Sequence, residues 1–146
     1  LDRFGLSVEV RTPDDLPTRI EVVRRRDAFE RDPEAFLGQW KREEIQLQKR
    51  VLAGRERVND VVVSEAALER ASELCLKLGT DGLRGELTLV RAARALAALD
   101  GDPAVGDGHL RRVAPSALRH RLRRNPLDEA GSTVRVERAL EEVFPA

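Results

Sequence analysis

Arg84 stands in the run Thr80-Asp81-Gly82-Leu83-Arg84-Gly85, in the first turn of the segment with the strongest helical apolar pattern in the chain. The dipole of a helix favours anions at that end and disfavours a guanidinium. Two arrangements resolve the conflict. Helix N-terminus and guanidinium can serve a bound phosphate together, with Gly82 and Gly85 allowing close backbone approach, or the charge can pair with the carboxylate of Asp81 or Glu86. Arg91 follows two turns later on the same face, with Arg94 near it. A second arginine, Arg3, lies in Leu1-Asp2-Arg3-Phe4-Gly5 just before an alternating segment. A tight turn leading into a strand would mount its planar fork rigidly toward phosphate oxygens; the other reading is a surface arginine paired with Asp2.

The remaining reactive side chains point to less. No GxxxxGK[ST] run is present, so the chain lacks the backbone cradle that holds ATP in phosphate-loop proteins. His109, His120 and the single Cys75 stand at spacings that suit no metal site, and no Ser-His-Asp set is recognisable. Arg119-His120-Arg121-Leu122-Arg123-Arg124 is the densest basic run. It reads either as a contact for nucleic acid or an acidic partner, or as cations complementing the C-terminus of a helix. Arg24-Arg25-Arg26 reads as a solvated face and Cys75 as core, whereas Trp40 anchors its helix either to the bundle or to a neighbour.

The elements that must position these residues are almost all helical. Leu6, Val8 and Val10 alternate with polar residues, which predicts a half-buried strand with no partner strand in sight. Asp14 and Asp15 cap a helix over about 15–31, and Asp32-Pro33 starts a second, long and mostly charged, that reaches about Arg57, with Gly54 ending or loosening it. Val58 to Val63 reads as an extended link. Ser64 caps a helix with Leu68, Ala71, Cys75 and Leu78 on one face and Gly79 as its stop. Thr80 or Asp81 opens the next, with Leu83, Leu87, Val90 and Ala97 in a stripe widened by Leu89, Ala93, Leu96 and Leu99. Asp107 caps a helix through Leu110, Val113, Ala114, Ala117, Leu118 and Leu122, kinked at Pro115. Asn125-Pro126 breaks the chain before a last helix over about 133–144.

Composition agrees with this. Among 146 residues, 36% are charged and 3% aromatic, which suits helices with exposed faces, and 26 basic residues balance 26 acidic ones, so no net field draws the chain to nucleic acid or anionic membrane. One cysteine and no export leader point to the cytoplasm. No apolar run approaches the roughly 20 residues of a membrane span. The chain opens at Leu1 and reads as a piece of a longer protein.

Three segments together resemble the ATPase subunit I family of magnesium chelatases, an AAA+ family: Leu1-Asp2-Arg3-Phe4-Gly5; Asp81-Gly82-Leu83-Arg84-Gly85-Glu86-Leu87 leading into Arg91 to Leu99; and Arg119-His120-Arg121-Leu122-Arg123 followed by Pro126-Leu127-Asp128. The charged stretch between Asp14 and Val63 also looks like that family. The resemblance implies an all-α helical bundle, the C-terminal lid of an AAA+ protein, with a short N-terminal strand left from the AAA+ core and a long helical insertion. Residues 1–13 would be the end of the core, 14–63 the insertion and 64–146 the lid. It implies that Arg3 is an arginine finger reaching the γ-phosphate in a neighbouring subunit, and that Arg84 is the sensor-2 residue on the ATP phosphate. The parent would use ATP and Mg²⁺ to drive Mg²⁺ insertion into protoporphyrin IX. It would do so in a ring of like subunits, with the chelatase's D-type AAA+ platform and, indirectly, its H-type porphyrin-binding component, in bacterial cytoplasm or plastid stroma. This chain, lacking the phosphate loop, would bind no cofactor tightly and hydrolyse nothing alone. The same segments leave open the equivalent portion of the D-type platform, a MoxR-like AAA+ protein, or a basic helical nucleic-acid module.

Overall fold

The computed structural model describes residues 4–80, 82–122 and 131–145. Among them six α-helices follow one another: α1 Leu16–Arg31, α2 Pro33–Arg57, α3 Glu65–Leu78, α4 Arg84–Asp100, α5 Asp107–Leu118, which continues into a 3₁₀ turn Arg119–Arg121, and α6 Ser132–Val143. The fold is all-α, and the chain divides into two compact units.

The first unit, Glu9–Val51, is a helical hairpin of α1 and most of α2. Asp15 caps α1 by accepting from the Thr18 amide at 2.8 Å, and Asp32 does the same for α2 through Ala35 at 3.0 Å. Pairs spaced three and four residues apart, such as Arg24 and Arg25 on Glu21 and Arg26 on Glu30, line α1. No residue of α1 is buried. The hairpin closes on an aromatic cluster, Phe29 edge-on to Phe36 at 5.7 Å and Phe36 beside Trp40 at 6.1 Å, with the Arg25 guanidinium 4.7 Å over the Trp40 ring.

The second unit gathers Leu1–Val8 and Leu52–Ala146 around one core built from α3 to α6. Ser64 caps α3 and Gly79, at φ +64°, ends it in the left-handed conformation that glycine adopts without strain. The Val61–Val63 link runs extended, and Val62 forms an isolated parallel bridge to Ala104, through Val62 N–H to Pro103 O and Val105 N–H to Val62 O, both 2.9 Å. His109 Nδ1 accepts from the Gly106 amide at 3.0 Å, an obligate donor, so its proton sits on Nε2 and is donated to Asp102 3.0 Å away. The last carbonyls of α6 accept from arginines of other helices, Val143 from Arg70 and Phe144 from Arg111.

Three expectations are corrected. Leu6 to Val10 forms no strand: its side chains are exposed or half-buried, and Ser7 donates its N–H to Ser116 O while its carbonyl accepts from Arg119. Alternation makes a strand only when a neighbouring strand takes the ladder bonds, and here the end of α5 takes them. Gly54 neither ends nor loosens α2. It lies buried where the helix crosses α4, and a Cβ there would meet backbone atoms of Leu99 at 3.3–3.4 Å. On α4 the predicted Leu89, Ala93 and Ala97 are buried, but Leu83 and Leu87 at the start of the stripe are exposed and Gly85 takes their place in the core, because small residues let α3 and α5 approach closely.

Candidate functional site

α3 ends at Leu78, and a four-residue link separates Gly79 from α4. Gly79 donates to Leu76 O at 3.1 Å and Thr80 N–H to Cys75 O at 3.2 Å, while Thr80 Oγ1 donates to the same carbonyl at 3.3 Å. Gly82, at φ +63°, turns the chain back. Arg84 is then the first residue of α4, exposed. Leu83 supplies no side-chain cap to the helix.

Gly85 has a packing role here. It is buried, and a Cβ would stand 3.1 Å from Thr80 Oγ1 and 3.4 Å from Cys75 Sγ, so only glycine brings the first turn of α4 this close to the end of α3. The backbone approach ascribed to it in favour of a phosphate is taken by the α3 contact. Leu83 (74% exposed) and Leu87 (53% exposed) flank Arg84, and Arg91 lies exposed two turns on, so an apolar and basic face stands apart from the core. Arg94 does not join that face. It is half-buried, and its Nε lies shielded from solvent without a hydrogen-bond partner among the described residues. Glu86, the first-turn acid that suits the dipole, likewise holds Oε2 shielded and without a hydrogen-bond partner among them. Asp81, the other carboxylate considered for Arg84, lies outside the described residues.

Arg3 also lies outside the described residues, but the segment that follows it is held by the basic run at the end of α5. Arg121 Nη2 donates to Phe4 O at 2.8 Å and its Nε to Ala117 O at 3.0 Å. His120 Nε2 stands 3.0 Å from Phe4 O, and Arg119 Nη2 donates to Ser7 O at 3.1 Å. These three residues thus turn toward the chain's own backbone, which opposes their reading as a nucleic-acid contact. Arg123 and Arg124 fall outside the described residues. No local sequence signal marks this clamp, because its two sides lie 112–117 positions apart.

Cys75 is fully buried, and burial, reinforced by the Glu86 charge, pushes its thiol from an ordinary 9.0 up to about 12; a hydrogen bond with Thr80 and the Arg121 charge pull the other way. It is core, as expected from its position. Trp40 serves its own hairpin. Among the described residues no group of three or more His, Cys, Asp or Glu is arranged to hold a metal ion, and no helix is long and apolar enough to cross a membrane.

Residues 68–143 match the family described as AAA lid domain. Over 145 residues, 99% of this chain, it is 58% identical to the magnesium-chelatase 38 kDa subunit of Rhodobacter capsulatus, of which the match covers 41%. The corresponding subunit of Cereibacter sphaeroides is 57% identical over 145 residues, 99% of this chain and 43% of that protein. Magnesium-chelatase subunit ChlI of Cyanophora paradoxa is 38% identical over 144 residues, 99% of this chain and 42% of the relative. The chain therefore spans about two fifths of the length of these relatives.

Proposed function

The chain belongs to the AAA lid domain family, and we propose that it is the nucleotide-sensing and subunit-coupling C-terminal portion of a magnesium-chelatase ATPase subunit. In this reading the parent's ATP hydrolysis drives Mg²⁺ insertion into protoporphyrin IX in chlorophyll or bacteriochlorophyll synthesis. Residues 1–13 end the ATP-binding core, 14–63 form an insertion and 64–146 form the lid. The partners are like subunits in a ring, the D-type AAA+ platform and, indirectly, the porphyrin-binding component; the compartment is bacterial cytoplasm or plastid stroma.

The observation that carries the reading is Arg84, exposed at the first residue of a 17-residue helix whose opposite face is core. A guanidinium and a helix N-terminus side by side suit the oxygens of a nucleotide phosphate carried by another domain. ATP, with its Mg²⁺, supplies the phosphoryl group whose transfer is being sensed. Arg84 would bind it from the lid, and rigid packing of Gly85 on Thr80 and Cys75 would pass the position of that contact to α3. Arg3 would act in trans as an arginine finger, stabilising charge that develops on the transferring group in the neighbouring subunit. Similarity to proteins named as the magnesium-chelatase 38 kDa subunit, over nearly the whole chain, favours the I-type ATPase over the D-type platform or a MoxR-like protein.

The test is made in the full-length ATPase. Arg84→Ala is expected to lower ATP turnover by about tenfold or more, since a cation on the transferring phosphate is worth at least that. Undiminished turnover removes the sensor role. Arg3→Ala subunits mixed with wild type should depress hydrolysis more steeply than their fraction, and a strictly proportional loss argues against action in trans.

A further inference from the structure

The N-terminal segment is held in the lid unit by polar bonds rather than by buried side chains. Phe4, Leu6 and Val8 are all exposed. What fixes the segment is the Phe4 carbonyl, which accepts from Arg121 at 2.8 Å with His120 Nε2 3.0 Å away, and Ser7, whose N–H donates to Ser116 O at 2.8 Å and whose carbonyl accepts from Arg119 at 3.1 Å. A carbonyl with two lone pairs can take both donors at Phe4. Arg121 also reaches α4. Its Nη2 lies 3.4 Å from Thr88 Oγ1, one turn after Arg84, and a Cβ at Gly5 would meet Thr88 Cγ2 at 4.0 Å. One guanidinium therefore joins three parts: the residue that follows Arg3, the end of α5 and the helix that begins at Arg84.

We propose that Arg121, supported by Arg119 and His120, is a positioning residue that ties the segment presenting Arg3 to α4, so that the finger's reach depends on the lid orientation set through Arg84. The proposal rests on the finger and sensor reading given above. The clamp closes on Phe4, the residue next in sequence to Arg3, so releasing it frees the chain beside the finger.

In the full-length ATPase, Arg121→Ala is compared with wild type, Arg3→Ala and Arg121→Lys. Amide exchange at Ser7 should rise by about tenfold or more while that of α5 stays within about twofold, as expected for local release rather than unfolding. The kcat should fall by about tenfold or more with KM for ATP within about twofold, since small misplacement of a catalytic group has effects of that order. Mixed into wild-type rings, Arg121→Ala subunits should poison hydrolysis as Arg3→Ala subunits do, and Arg121→Lys, which keeps charge but loses the fork, should recover part of the rate. A merely structural role would give a loss that follows the folded fraction and adds in proportion on mixing; that result overturns the proposal. If Ser7 exchange rises or stays unchanged while kcat stays at the wild-type value, and Arg3→Ala is still defective, the positioning role falls and the finger reading stands. If Arg3→Ala itself turns over ATP normally, both fall. Should Arg121→Ala fail to fold, Arg119→Gln, which removes the bond to Ser7 O, is judged by the same measurements and outcomes.

Discussion

Cys75 shows what burial does to a single group. Its Sγ faces the Gly85 backbone at the α3–α4 contact, and the thiol is pushed up to about 12 chiefly by loss of water. Thiolate is therefore scarce in the native state at pH 8, and alkylation by iodoacetamide should be slow until urea unfolds the chain; rapid native labelling would contradict the packing. The sign of the linked pH effect follows. An unfolded thiol loses its proton from about 9.0 upward while the folded one keeps it to about 12, so the unfolded state binds fewer protons and stability falls across that window. Urea midpoints measured from pH 9 to 11 should fall more steeply for wild type than for Cys75→Ala. Arg84, by contrast, is defined by exposure at a helix start, and its proposed role is tested by turnover, not stability.

At the scale of elements, glycine sets how closely helices cross. Gly54 lets the end of α2 meet α4 at Leu99, and Arg57 secures the contact by donating to Ala98 O at 2.8 Å. A larger side chain must push backbone rather than a movable side chain. Gly54→Leu is expected to cost about 1–3 kcal/mol, the usual range for overpacking, read as a lower urea midpoint with unchanged slope. The α4 face follows the same rule. Of the predicted stripe Leu89, Ala93 and Ala97 are buried, whereas Leu83 and Leu87, large and apolar, are exposed and the small Gly85 takes the buried place at the helix start. On α3 the predicted Ala71, Cys75 and Leu78 are buried, joined by Ala67 and Leu74, while Leu68 is exposed.

For the molecule as a whole, the two units differ in how they are stabilised. The Glu9–Val51 hairpin has its aromatic cluster and helix-surface ion pairs, worth a few tenths of a kcal/mol each, and no buried residue in α1. The other unit has a continuous core with Leu74, Leu89, Leu110, Leu118, Val136 and Val143 fully buried. Native-state amide exchange should therefore be markedly faster in α1 than in α4, by about a hundredfold or more; equal protection would mean the units open together. Helix order, the caps Asp15, Asp32 and Ser64, and the Gly79 stop were legible in the sequence because caps and periodicity are local. So was the position of Arg84 at a helix start. What only the tertiary structure decided were the burial of Gly85 in place of Leu83 and Leu87 at the start of α4, the irregular course of Leu6 to Val10, and the turning of Arg119, His120 and Arg121 onto Phe4 and Ser7. Each depends on which distant backbone comes near, and no periodicity within one segment encodes the partner that accepts its hydrogen bonds.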